Sequence, residues 1–232
     1  MVIGHGMIAR QFGKYIKDEN LLVFASGVSN SSSSNETDYN REQDLLLQTL
    51  QQQPGKKIIY FSTCSIYDPS LQDSMYVQHK LRMERLIREE AASYIIFRVS
   101  NPVGFTPNPY TVLNYFVQHI KNQEHFTLWQ YAGRNLMDIE DVFKICDAII
   151  QSQTINNTIV NIANPVNYPV ISIVEAIEHH LRKKGNYTLA KKGNSPLIDT
   201  TAIQPLFSLL EINFDNHYLP DLLKKYFPTH DL

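Results

Sequence analysis

The sequence predicts an α/β fold with a buried parallel sheet, on three observations. Tyr94-Ile95-Ile96-Phe97-Arg98-Val99 is an almost unbroken apolar run, of the kind a parallel sheet covers on both faces. Lys57 to Phe61 is a second strand-like run, and it ends in a cluster of hydroxyls, Ser62, Thr63 and Ser65. Between such runs lie stretches whose apolar residues recur at helical spacing, as in Val142, Phe143, Ile145, Cys146 and Ile149.

Composition bounds the rest. A chain of 232 residues that is 43% hydrophobic can bury a full core, as one domain or one domain with a small appended lobe. Net charge is -2 and the sequence pI is near 6.4, so no surface for nucleic acid or membrane is indicated. Cys64 and Cys146 stand far apart, which fits a reducing cytoplasm with neither a disulfide framework nor a zinc site. No signal peptide and no apolar run of about 20 residues is read, so the expected location is cytoplasmic. His179 and His180 are helix neighbours that point apart, which favours solvation over metal ligation.

In order, Met1 to Ile3 reads as a very short strand, and Gly4-His5-Gly6-Met7-Ile8-Ala9 as a glycine turn entering a helix to about Lys17. Glycines there let backbone N–H groups approach a pyrophosphate, although a plain strand-to-helix connection reads the same way. Leu21 to Ala25 is a second strand, left through Ser26-Gly27-Val28-Ser29. The serine-rich Asn30 to Thr37 reads as a mobile surface loop, and Asp38 as the cap of a helix from Tyr39 to Gln53 with leucines 45, 46, 47 and 50 inward. After the strand at Lys57, a helix from Met75 to Ala91 turns Leu81, Met83, Leu86 and Ile87 to the core, with charged residues on its other faces. Helices are further expected over Thr111 to Lys121, Ile139 to Gln151, Ile173 to Lys183 with Ser172 as cap, Ala202 to Leu210 and Leu219 to Phe227. Strands are expected at Phe126 to Trp129 and Asn157 to Ala163.

On the helix after Met75, Tyr76 and Lys80 are four residues apart and share a face. A phenol titrates near 10, so an ionised one near neutrality needs about 4 kcal/mol of help. A neighbouring ammonium supplies part of it, and the Thr63 hydroxyl can share the travelling proton. By itself the pair favours the plainer reading, a snorkelling lysine beside a half-buried tyrosine.

Strand, Ser/Thr, then Tyr-x-x-x-Lys resembles the catalytic set of the extended short-chain dehydrogenase/reductases, the NAD-dependent nucleotide-sugar epimerases, dehydratases and 4-keto-reductases. Arg98-Val99-Ser100-Asn101-Pro102-Val103-Gly104 and Gly133-Arg134-Asn135-Leu136-Met137-Asp138 are similar to further segments of that family. The resemblance implies a Rossmann-like doubly wound parallel sheet and a small C-terminal substrate lobe. It places a cofactor core at 1–104, to which 139–163 return, and a mostly substrate-binding lobe at 105–232. It also implies roles. Thr63, Tyr76 and Lys80 move the proton. Gly4, Gly6, Met7, Ile8, Ala9, Ala25, Ser26 and Gly27 join Tyr76 and Lys80 in holding NAD or NADP. Ser65, Asn101 and Arg134 hold a nucleoside-diphosphate sugar, Arg134 with the planar fork of donors that suits two phosphate oxygens.

The pattern is also broken. The first helix leads directly into what resembles the family's fourth strand, so the usual second and third strands are missing. No acidic residue ends a strand about 20 residues after the glycines. Two functional readings follow: an NAD(P)-dependent nucleotide-sugar 4-keto-reductase or epimerase, or a catalytically weak or silent nucleotide- or dinucleotide-binding regulator or complex subunit derived from such enzymes. The first strand should lie near an open edge, covered by the serine-rich loop or by a second copy in a homodimer.

Overall fold

The computed structural model describes residues 1–28, 30, 35–152 and 155–229. Its elements follow in chain order. The first half contains β1 (Val2–Ile3), α1 (Met7–Gln11), β2 (Leu21–Phe24), α2 (Glu36–Gln52), β3 (Lys57–Thr63), α3 (Met75–Glu90), β4 (Tyr94–Val99) and β5 (Asn101–Val103). Then come α4 (Val112–Asn122), β6 (His125–Trp129), β7 (Gly133–Arg134), β8 (Leu136–Asp138), α5 (Ile139–Gln151) and β9 (Thr158–Ile162). The chain closes with β10 (Tyr168–Pro169), α6 (Val170–Leu181), β11 (Asn186–Ala190), α7 (Gln204–Leu209) and α8 (Tyr218–Tyr226).

The main sheet has five strands in the order β1-β2-β3-β4-β9, and every pairing is parallel. Strand side chains alternate between faces, and the sequence loads both. Leu22, Phe24, Ile58, Tyr60 and Ile96 pack on one face with Leu46 of α2 and with Met83 and Ile87 of α3. Val23, Ile59, Phe61, Ile95 and Phe97 pack on the other with Phe12 and with Val142, Ile145 and Ile149 of α5. Each large side chain so enclosed contributes about 1.5–3 kcal/mol by leaving water. Helices on both faces make the sheet doubly wound, and β1 at its edge pairs directly with β2, as the missing strands require.

Several elements differ from expectation. α1 stops at Gln11 and a 3-10 turn occupies Gly13–Tyr15, because Phe12 is drawn fully into the core and Gly13 follows it. α2 starts earlier, capped by Asn35, whose side chain accepts from the Thr37 N–H, and not by Asp38. The serine-rich stretch lies largely outside the described residues. α6 begins at Val170 without a side-chain cap, so Ser172 sits inside the helix. The charged residues of α3 are not all outside: His79, Lys80 and Glu84 are buried. β11, which the sequence does not announce, pairs in parallel with β6.

Three short pairings position the candidate site. β5 runs parallel to β8 with Asn101 opposite Leu136, while β7 pairs antiparallel with β10 through Arg134 and Tyr168. The C-terminal ends of β3 and β4 meet at Thr63 and Val99, two residues before Asn101. Ligands of open α/β sheets bind outside that end of the strands.

Candidate active site

At the end of β3, Thr63 caps the turn that follows. Its Oγ1 accepts the Ser65 N–H at 3.0 Å, and its hydroxyl donates to Ser65 Oγ at 3.0 Å. Ser74 caps α3 by accepting from the Val77 N–H, which sets Tyr76 in the first turn. Tyr76 is half-buried, and among the described residues no hydrogen bond reaches its hydroxyl. Its charge would bear on the neighbouring phenol of Tyr60.

Lys80, one turn on, is 3% exposed and committed elsewhere. Its ammonium donates to Glu42 Oε1 at 3.0 Å and to the Tyr60 hydroxyl at 3.1 Å. Glu42, on α2 and 0% exposed, gathers a shell around itself. Tyr60 donates to Oε1 at 2.7 Å, and the Val28 N–H donates to Oε2 at 2.7 Å. His79 Nε2 stands 3.0 Å from Oε2, near enough for attraction, yet both ring nitrogens are buried without a hydrogen bond of good geometry. Burial pushes the Glu42 carboxyl up, but Lys80, His79, the Val28 N–H and Tyr60 outweigh it and hold it at about 2. Burial first, and the Glu42 carboxylate second, raise the Tyr60 phenol well above its ordinary range, so it serves as a neutral donor.

The loop after β2 closes onto this pair. A Cβ at Gly27 would lie 2.5 Å from Lys80 Nζ and 3.0 Å from Glu42 Oε1, so a side chain there would displace the ends of this pair. Gly4, at φ +119°, is held by a different contact: a Cβ would stand 2.3 Å from the Ala25 carbonyl oxygen. Gly6 faces open space, with nothing within 4 Å of an added Cβ. Met7 and Ile8 are half-buried and Ala9 is buried. Ala25 and Ser26 are half-buried in the loop, beside Gly4.

Asn101 and Arg134 come together at the strand ends through Asn135. Asn101 Nδ2 donates to the Asn135 carbonyl at 2.8 Å, as does the Ser100 hydroxyl at 2.7 Å. Arg134 is half-buried and donates to the Gly133 carbonyl at 2.8 Å. Burial lowers its guanidinium, while Asp68 acts in the opposite direction. Two open clefts, of about 540 and 250 Å³, lie between Met7, Arg10, Phe105, Ile139, Tyr226 and Phe227, the larger one lined by Met7 of the expected cofactor residues. Neither is lined by Thr63, Tyr76 or Lys80. Among the described residues no cluster of His, Cys, Asp or Glu could hold a metal ion, and no helix is long and apolar enough to cross a membrane.

Sequence reading missed Glu42, His79 and Tyr60. The one available signal was the phase of α2, since Glu42 and Leu46 are four apart and so share the inward face.

The fold is that of a doubly wound α/β protein with a parallel central sheet. The pattern of the NAD dependent epimerase/dehydratase family matches residues 20–163, and the chain belongs to that family. Solved structures agree in fold. MoeE5 in complex with UDP-glucose and NAD is 15% identical, with a TM-score of 0.71 over 89% of this chain and 77% of that one. UDP-glucuronic acid 4-epimerase from Bacillus cereus, in complex with UDP-glucuronic acid and NAD, is 18% identical, with a TM-score of 0.70 over 91% and 75%. UDP-N-acetylglucosamine 4-epimerase from Methanobrevibacter ruminantium, in complex with UDP-N-acetylmuramic acid, is 17% identical, with a TM-score of 0.65 over 91% and 77%. A comparison with curated protein sequences finds no match.

The residues fit a dinucleotide unevenly. The open face at Gly6 suits the close approach of a pyrophosphate. Lys80, as it stands, does not fit a ribose, because two of its three donors already serve Glu42 and Tyr60.

Proposed function

We propose that the chain is an NAD(P)-dependent nucleotide-sugar epimerase or 4-keto-reductase. The reading is carried by Tyr76, half-buried and with no hydrogen bond to its hydroxyl among the described residues, on the helix packed against β3, one turn before a buried ammonium. In this reading Tyr76 gives or takes the proton at the sugar oxygen, and Thr63 shares that hydrogen bond. Lys80 favours the phenolate. Arg134 of the lobe at 105–232 orients the nucleoside diphosphate, together with Ser65 and Asn101 of the core. Gly4, Gly6, Met7, Ile8, Ala9, Ala25, Ser26 and Gly27 line the dinucleotide's place on the core at 1–104 and 139–163. NAD or NADP, when bound, supplies hydride exchange with the sugar carbon.

Tyr76→Phe removes only the exchangeable proton, so turnover of a UDP-hexose should fall about a hundredfold or more, with substrate binding kept within about threefold. Near-normal rates in the variant would remove Tyr76 from the role. One observation favours a second reading, a binding subunit without turnover: the Lys80 charge is already met by Glu42. Fluorescence titration with NADH and NADPH tests the first reading, since a protein that binds neither has no hydride chemistry to perform.

A further inference from the structure

Glu42 has no catalytic part in the reading above, yet its buried carboxylate takes three hydrogen bonds beside the proposed site. It joins four separate pieces of the chain. Its own helix, α2, is tied through Oε1 to Tyr60 on β3 and Lys80 on α3, and through Oε2 to the Val28 N–H in the loop after β2. Gly27 of that loop lies against both charged groups and covers them. Glu42 Oε1 and the Tyr60 hydroxyl together present two acceptors to the Lys80 ammonium, much as a pair of vicinal hydroxyls would, one of them with a full charge besides. Glu42 therefore occupies the coordination that a ribose would claim from Lys80.

We propose that Glu42 is an internal latch: it holds Lys80 and the loop Ala25 to Val28 in a closed arrangement, and a dinucleotide engages Lys80 only after the carboxylate releases it. The inference rests on the dinucleotide reading of the site. It accounts for a Lys80 that keeps its position four residues from Tyr76 and yet serves a partner inside the protein. No covalent step is involved. One ionic contact and the Val28 hydrogen bond break, and the ribose hydroxyls take the freed donors.

Such a latch lowers apparent affinity by the fraction of molecules closed, so weakening it must raise affinity. The test compares NADH and NADPH binding, by fluorescence titration, in the native chain and in Glu42→Gln, which keeps the shape and removes the charge. The expected result is tighter binding by the variant, about tenfold or more. Equal or weaker binding by the variant overturns the latch and leaves the dinucleotide site standing. Binding by neither protein overturns the latch together with the dinucleotide reading. Should Glu42→Gln fail to fold, hydrogen exchange on the native chain decides: the Val28 amide, protected by Glu42, should lose protection when NADH saturates the protein. Protection unchanged by bound NADH overturns the proposal.

Discussion

Helix α3 carries two buried ion pairs one turn apart, and they are built differently. Glu84 meets Arg98 through two parallel bonds, Nε to Oε1 at 2.9 Å and a second terminal nitrogen to Oε2 at 2.6 Å, while Ser62 donates to the same carboxylate. Tyr67 then receives an N–H from Arg98 at 3.1 Å and donates to Asn161 at 2.9 Å, which ties β3, β4 and β9 together. Lys80 meets Glu42 at one oxygen only. A guanidinium forks, is weakly hydrated and stays charged, whereas an ammonium is a point donor that exchanges acceptors readily. Although burial opposes charge, Glu84 holds Arg98 further above its already high range. The difference separates a fixed brace between strands from a contact made to a loop.

Breaking the brace should have the larger effect. Glu84→Ala leaves Arg98 largely buried without its counter-ion and should cost about 3–5 kcal/mol, read as a lowered urea midpoint. A loss below about 1 kcal/mol would show that the fork contributes little beyond its own desolvation.

Acid acts on the other pair. The Glu42 carboxyl is held at about 2 against 4.5 when free, so its folded value is depressed. The stability it confers is present above about 4.5 and is lost as the pH falls toward about 2, a loss of about 3 kcal/mol. Urea unfolding at several pH values in that window should show a slope in the native chain that flattens in Glu42→Gln. An identical slope in both proteins would assign the acid sensitivity to other carboxyls. The smallest effect is expected from Tyr60→Phe, which removes one hydrogen bond to Glu42 and one acceptor from Lys80, at about 1–2 kcal/mol. A cost as large as that of Glu84→Ala would place the phenol, and not the charges, at the centre of the contact.

What the residues disclose in advance follows from how local each cause is. The parallel strands were legible because burial on both faces writes continuous apolar runs, and α5 was legible to its end residues because Asp138 caps it and its apolar face is complete. The edge position of β1 followed from the missing strands. β11 was hidden, since Asn186, Thr188 and Leu189 are exposed and the strand is held chiefly by its backbone pairing with β6. Tyr76 and Lys80 could be placed on one helix face, but the partner of Lys80 could not: Glu42 stands 38 residues away on another helix. A charged residue on an amphipathic helix ordinarily signals solvent, and only the tertiary arrangement of Tyr60, Val28 and Lys80 makes burial tolerable.

The rim strand has its own consequence. β1 is two residues long and half-buried, and among the described residues no strand lies beyond it. A visiting chain would find two rungs of main chain there, too few to register or to template growth. Brevity itself limits the hazard: the flank stripped of its outer strands offers almost nothing for another backbone to grip.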